Sequence, residues 1–169
     1  RKARLSAQIL ATISEDTVET RFEDSGLTFR GEKLFKLRMG FAKDATPEDA
    51  GSASNRSFFD LGRELGLTRH VDRKALGTVL TALEQPGPEA YLLNVSRETI
   101  LDSDWMAELA TGLAATDNAA SRLVIGITEA FALSGKPEAE AFLKSVASLG
   151  CAIRINRFSA SPAAFNRLR

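Results

Sequence analysis

Polar side chains stand where several predicted strands of this sequence end. The set comprises Lys36, Asn94, Glu129 and the adjacent pair Asn156 and Arg157. In α/β proteins the carboxyl ends of parallel strands meet at one mouth, where ligands bind. Amides and cations bind phosphate and other anions, whereas a divalent metal requires several carboxylate oxygens. The last of these sites lies within a segment, residues 155–162 (INRFSASP), that contains no Asp, Glu, His or Cys.

Other common site motifs are absent from the sequence. There is no G-x-G-x-x-G or G-x-x-x-x-G-K-[ST] phosphate loop and no G-x-S-x-G nucleophile motif. The single histidine, His70, has no nearby Cys or His with which to form a metal cluster. The single cysteine, Cys151, cannot form an internal disulfide and is predicted to be a buried strand thiol in a reducing cytoplasm.

Overall charge and hydropathy give no support for binding to nucleic acid or to a membrane. The 22 basic and 22 acidic residues cancel, so there is no electrostatic argument for binding nucleic acid or an anionic membrane. No run of 18 apolar residues and no signal-peptide pattern is present. The 169 residues suit one domain or most of a larger one. We expect a cytoplasmic location.

The first third of the chain predicts a helix and a β-hairpin. Residues 1–14 place apolar side chains on one helical face. Two strand-like runs, TVETRF and LTFRGEKLFKLRMGF, flank the turn-forming residues Asp24, Ser25 and Gly26. In the second run apolar residues alternate with basic residues, so one face of the strand is expected to be apolar and the other basic.

The rest of the chain predicts alternating helices and strands. Residues 42–57 are small, polar and aperiodic, as in a loop, and helical patterns follow at about 58–66 and 70–84. The strands AYLLNVS, RLVIGIT and CAIRINRF then enclose helices at 102–116 and 136–149. This order predicts parallel strands with right-handed crossovers, in an α/β barrel or a doubly wound sheet.

Four segments together resemble the EAL domain of bacterial cyclic-di-GMP phosphodiesterases. They are FFDLGRELGLTRHVDRKAL, YLLNVS, LVIGITEAF and IRINRFSASPAAFNRL, in the order and at the separation expected of that family. The resemblance runs from about Thr17 to the end of the chain. It implies a TIM-like (β/α) barrel of EAL type, with residues 1–16 as an N-terminal connector helix and 17–169 as an incomplete EAL-like domain. The later barrel strands are missing, so the chain is a fragment, or its remainder lies elsewhere, or a partner chain completes the sheet.

The resemblance also implies where the family's metal ligands fall. The glutamate of the EAL triplet falls on Lys36, and the arginine that closes that strand falls on Gly40. The family asparagine is kept as Asn94 and the glutamate of its ITE motif as Glu129. The paired aspartates fall on Asn156 and Arg157, and the glycines of the following loop on Ser159 and Ser161.

These replacements predict a vestigial site that binds no catalytic metal and needs no cofactor. The family uses a pair of divalent metals to activate water for attack on a phosphodiester. At about 4 Å and an effective dielectric of about 20, a cation repels a divalent ion by about 8 kcal/mol. One glutamate and two amides do not offset that repulsion. We therefore expect Glu129 to pair with Lys36 or Arg157 instead, with Asn94 and Asn156 as hydrogen-bond donors.

Three functions follow from these observations. The first is a catalytically inactive EAL-like domain that acts as a regulatory or interaction module, with a protein partner or an upstream domain. The second is a metal-free receptor for cyclic-di-GMP or another nucleotide, with phosphate contacts from Lys36, Arg38 and Arg157. The segment ETRFED argues against the receptor function, because it replaces a strand that carries ligand contacts in the family. The third is an active phosphodiesterase. The resemblance also implies a homodimer.

Overall fold

The computed structural model describes residues 2–14, 18–41 and 58–156 of the chain. The helices are α1 Lys2–Ser14, α2 Phe58–Glu64, α3 Thr68–Leu83, α4 Arg97–Ile100, α5 Ser103–Ala114, α6 Glu129–Ala132 and α7 Pro137–Ser148. The strands are β1 Val18–Phe29, β2 Glu32–Phe41, β3 Ala90–Asn94, β4 Leu123–Thr128 and β5 Ala152–Asn156. None of the described helices is long and apolar enough to cross a membrane.

The described strands form one sheet in the order of the sequence. β1 and β2 pair antiparallel, and β2, β3, β4 and β5 are mutually parallel. A helix lies between each two successive parallel strands from β2 onward. This is the arrangement of consecutive strands in a (β/α) barrel, so the predicted α/β fold with parallel strands is confirmed.

The hairpin is present, but its turn does not lie at Asp24, Ser25 and Gly26. The chain reverses at Arg30 and Gly31, whose φ angles are 53° and 80°. Two successive positive φ angles give a turn whose twist matches that of the flanking strands, which explains why the reversal occurs there. Gly26 lies instead in an irregularity of β1 between Asp24 and Leu27, where the pairing register with β2 shifts.

Local signals set the boundaries of the later elements. α7 begins at Pro137, whose fixed φ suits the first turn of a helix. It ends with Gly150 at a φ of 93°, and the amides of Gly150 and Cys151 bond back to the carbonyls of Ala147 and Val146. This pattern is a glycine-ended helix stop. The short helices α4 and α6 have no signal in the sequence pattern, because four residues are too few to show a period.

The sheet separates two apolar clusters of different size. The large cluster lies between the sheet and the helices and includes Trp105 and Leu109 of α5 and Ile125 of β4, all at most 1% exposed. The small cluster lies on the opposite face, which we call the inner face. It consists of Leu34, Ala90, Leu92 and Val124, with Phe29 and Ala152 packed against it. The inner face corresponds to the interior of a barrel, where side chains of neighbouring strands form layers.

Candidate functional site

The inner face changes from apolar to polar toward the carboxyl ends of its strands. Side chains alternate between the two faces of a sheet, so residues two or four positions after the apolar cluster share its face. The polar layer that follows consists of Lys36 and Arg38 on β2, Asn94 on β3, Gly126 and Thr128 on β4, and Arg154 and Asn156 on β5. We call this layer the mouth. It contains four of the positions to which the sequence assigns site chemistry.

Two asparagines form the centre of the mouth. Asn156 Nδ2 donates to Asn94 Oδ1 over 2.7 Å, between side chains from β5 and β3. Gly126 of β4 lies between them, paired in register with Asn94. A Cβ at residue 126 would overlap with Asn94 Oδ1 and lie 2.9 Å from Asn156 Nδ2. The hydrogen bond, which we call the amide clasp, therefore crosses β4 only because residue 126 has no side chain.

Gly126 is the site position that the motif comparison missed. The ITE motif of the family resemblance identifies Glu129. Alternation along β4, however, places residues 124, 126 and 128 on the inner face. Strand geometry alone gives the face on which Gly126 lies. That Gly126 borders both asparagines is seen only in the structure.

Glu129 lies directly after strand β4, and of its two predicted partners Lys36 is among the described residues. Glu129 is the first residue of α6, and it is half-buried. Among the residues that the structure describes, Glu129 makes no ion pair with Lys36 and no side-chain hydrogen bond with Asn94 or Asn156. The pairing of Glu129 with Lys36 or Arg157 therefore stays a prediction, and within the described residues the two asparagines bond to each other. Arg157, the other predicted partner, lies outside the described residues.

The two cations assigned to phosphate contacts on β2 differ in their surroundings. Lys36 is half-buried, next to Leu92 of β3 in register. Arg38 Nε bonds to Glu23 Oε2 over 2.8 Å, and Arg21 Nη2 bonds to the other oxygen of the same carboxylate. The hydrogen bond from Arg38, with a smaller contribution from Arg21, lowers the pKa of Glu23. Arg38 is therefore already engaged with an anion, whereas Lys36 has no ion pair among the described residues.

The segment that follows Asn94 is held by a buried carboxylate. Asp72 of α3 is 5% exposed, and its Oδ2 accepts from Ser96 N at 3.0 Å, Ser96 Oγ at 2.6 Å and Thr99 Oγ1 at 2.5 Å. Ser96 Oγ in turn accepts from Thr99 N and caps α4. Sequence patterns gave no sign of this network, because Asp72 and Ser96 are 24 residues apart.

A second buried carboxylate begins the next helix. Asp102 caps α5 by accepting from the backbone amides of Asp104 and Trp105. Arg69 of α3 reaches the same carboxylate, with Nη2 at 3.2 Å from Oδ1 and Nε at 3.3 Å from Oδ2. The hydrogen bond from Arg69 is the main reason why the pKa of Asp102 is lowered. These contacts join α3 and α5 behind the strand that carries Asn94.

Metal-binding clusters are not found within the described part of the chain. No three His, Cys, Asp or Glu side chains there come close enough together to hold a metal ion. The side-chain oxygens of the mouth are two amide oxygens, one of which accepts the hydrogen bond of the amide clasp, and the hydroxyl of Thr128, which caps α6. A hard cation prefers six or more oxygen ligands with several carboxylates among them, so the described residues do not fit one.

Comparison with protein families and solved structures gives one consistent family. The model of the EAL domain matches residues 45–169. A comparison with curated protein sequences finds no significant match.

Among solved structures, the EAL domain of Xanthomonas citri FimX in complex with c-di-GMP is similar, with a TM-score of 0.77 and 16% identity. That match covers 99% of this chain and 66% of the other. The FimX EAL domain of Pseudomonas aeruginosa bound to c-di-GMP has a TM-score of 0.68 and 20% identity, over 96% of this chain and 65% of the other. A helix-GGDEF-EAL portion of Vibrio cholerae LapD, bound to c-di-GMP, has a TM-score of 0.69 and 16% identity. This match covers 99% of this chain and 41% of the LapD chain, so the present chain spans less than two thirds of each of these structures.

Proposed function

Because this chain belongs to the EAL domain family, we propose that it is a non-hydrolysing EAL module that regulates or binds a protein partner in cyclic-di-GMP signalling. The observation that carries the proposal is the amide clasp. In the family the mouth holds metal ions through carboxylates, whereas here two amides bond to each other over a glycine. The described mouth residues therefore fill the centre of the site with protein groups.

The charge of the mouth supports the same proposal. Lys36 stands on the inner face where the family resemblance expects a metal-ligating glutamate, and Arg154 shares that face on β5. A divalent ion at the mouth would be repelled by these cations, and the desolvation of the ion would not be offset by carboxylate ligands. The residue expected to replace the second aspartate, Arg157, would add to this repulsion.

The first experiment measures hydrolysis and binding separately. The chain is incubated with cyclic-di-GMP and magnesium or manganese, and the linear product is followed by chromatography. Calorimetric titration with cyclic-di-GMP, with and without magnesium or calcium, reports binding. We expect no product above the protein-free blank and no metal-dependent heat. Metal-dependent turnover that is lost on addition of a chelator would refute the proposal.

A second candidate function is a metal-free receptor for cyclic-di-GMP. Its support is that the FimX and LapD structures are complexes with c-di-GMP, together with the cations Lys36, Arg38 and Arg154 on the inner face. Against it, Arg38 is held by Glu23, so the ligand would have to compete with that carboxylate. Metal-independent binding in the titration would favour this function over the first.

Matched variants distinguish specific phosphate contacts from general charge. Lys36→Ala removes a cation of the mouth that has no ion pair among the described residues, and Lys144→Ala removes a cation of α7, on the other side of the sheet. If the chain is a receptor, Lys36→Ala should weaken binding about tenfold or more, and Lys144→Ala should leave it unchanged. Equal effects of the two variants would point to non-specific attraction.

The proposal also covers a homodimer and a connection to an upstream domain. We infer a homodimer from the family resemblance, and sedimentation that gives a monomer at tens of micromolar would count against it. Residues 1–16 are proposed as a connector to an upstream regulatory domain. α1 within that segment buries Leu5 and Ile9 in the large core cluster, so movement of the connector would be transmitted to the helices of the domain.

A further inference from the structure

The strongest unassigned feature is the buried carboxylate of Asp72, behind the strand that ends in Asn94. Its three hydrogen bonds with described residues all go to one oxygen, and the donors belong to Ser96 and Thr99. A buried carboxylate is stable only when it is well hydrogen-bonded, so these donors offset its desolvation. The contact therefore ties α3 to the segment immediately after β3.

That segment is held on two sides. Val95 N donates to Gly126 O over 2.9 Å, which extends the β3–β4 pairing by one residue. Ser96, the next residue, is bound through both its backbone amide and its hydroxyl to Asp72. Asn94 directly precedes this doubly anchored pair and is itself exposed, with Asn156 as its only side-chain partner among the described residues.

The geometry points to Asp72 as a positioning residue that holds Asn94 in register for the amide clasp. Among the described residues Asp72 has no hydrogen bond with Asn94, and it acts through Ser96 and the backbone of Val95. Loss of its carboxylate frees the amide and hydroxyl of Ser96, so the end of β3 can rotate and the Asn94 side chain moves away from Asn156. The inference rests on the proposed function only in treating Asn94 as part of the mouth.

Nuclear magnetic resonance of the full chain tests this inference without any ligand. The probes are the side-chain amide signals of Asn94 and Asn156 and the exchange of the Asn156 Nδ2 hydrogens with water. In Asp72→Ala we expect both signals to shift and the exchange to accelerate about tenfold, as for a lost hydrogen bond. Asp72→Asn keeps one acceptor oxygen and should show a smaller change in the same direction.

Two controls separate positioning from general destabilisation. Glu98→Ala removes an exposed carboxylate from the same short helix and should leave the asparagine signals unchanged. Exchange of the backbone amide of Ile125 in β4 reports opening of the whole sheet, and it should not accelerate with that of Asn156.

The inference is overturned if folded Asp72→Ala has unchanged asparagine signals, or if Asn156 and Ile125 accelerate by the same factor. Should Asp72→Ala fail to fold, Asp72→Asn and Ser96→Ala replace it. Unchanged asparagine signals in both would then overturn the inference, and a shift in either would support it. These outcomes do not depend on nucleotide binding. A negative result for Asp72 therefore does not contradict the proposed function, and a negative result in the hydrolysis and titration experiments does not contradict the role of Asp72.

Discussion

Gly126→Ala is the most direct test of how the mouth is built. The φ angle of Gly126 is not positive, so alanine fits its backbone. Without any steric overlap, the substitution would raise the free energy of unfolding by about 0.5–1 kcal/mol. The new Cβ, however, would overlap with Asn94 Oδ1 and crowd Asn156 Nδ2. The amide clasp must then open, which removes a hydrogen bond worth about 0.5–1.5 kcal/mol. The two effects nearly cancel, so the single substitution is expected to change stability by less than about 1 kcal/mol.

The informative quantity is the coupling between residues 126 and 94. In an Asn94→Ala background the overlap with Asn94 and the hydrogen bond are gone, the Asn156 side chain can move away from the new Cβ, and Gly126→Ala should be stabilising. The double-mutant cycle should therefore give a coupling energy of about 0.5–1.5 kcal/mol, the value of the lost hydrogen bond. Urea unfolding followed by circular dichroism measures the four variants, and equal slopes with denaturant indicate that the unfolded states are comparable.

Gly40→Ala provides the matched control. Gly40 lies on the inner face of β2, and a Cβ there would meet nothing within 4 Å. Its cycle with Asn94→Ala should be additive to within about 0.3–0.5 kcal/mol. If the Gly126 cycle is additive as well, the amide clasp does not contribute to the fold in solution and the account of the mouth is refuted.

Three further predictions concern the scaffold of the mouth. The lowered pKa of Asp102 contributes stability that is present above about pH 4 and is lost as the pH falls through the folded-state pKa. Arg69→Gln should therefore lose less stability on acidification than the parent chain does. The urea midpoint, followed from pH 6 to about pH 2, measures this loss. An unchanged pH profile would contradict that role. Burial raises the pKa of Cys151 to about 11, so iodoacetamide should label it at pH 8 far more slowly in the folded chain than in urea, and equal rates would contradict its burial. Leu109→Ala should lower the free energy of unfolding by about 2–5 kcal/mol, because Leu109 is fully buried among the helices. Leu133→Ala changes a side chain that is 73% exposed and should lower it by less than about 0.5 kcal/mol in the same urea titration.

The order of the elements was predictable because its signals are local. The amphipathic period of α3, the apolar runs of β3 and β4, and the proline and glycine at the ends of α7 each lie within a few residues of the element they define. The rule that parallel strands connect through right-handed crossovers then gave the sheet. The hairpin was predicted with the wrong turn, because two glycine-containing segments compete for it and the pairing register with β2 decides between them.

The residues of the mouth were only partly predictable for the same reason. The ends of the predicted strands indicated Lys36, Asn94 and Asn156, and the family resemblance related these positions to metal ligands. The amide clasp joins residues 62 positions apart in the chain, and nothing local in the sequence relates them. Gly126 and Asp72 acquire their importance only from neighbours brought to them by the sheet and by α3. Periodicity thus determined which strands and helices form, because it acts within one element, and the tertiary structure decided which side chains meet, because hydrogen bonds and steric overlap act between elements.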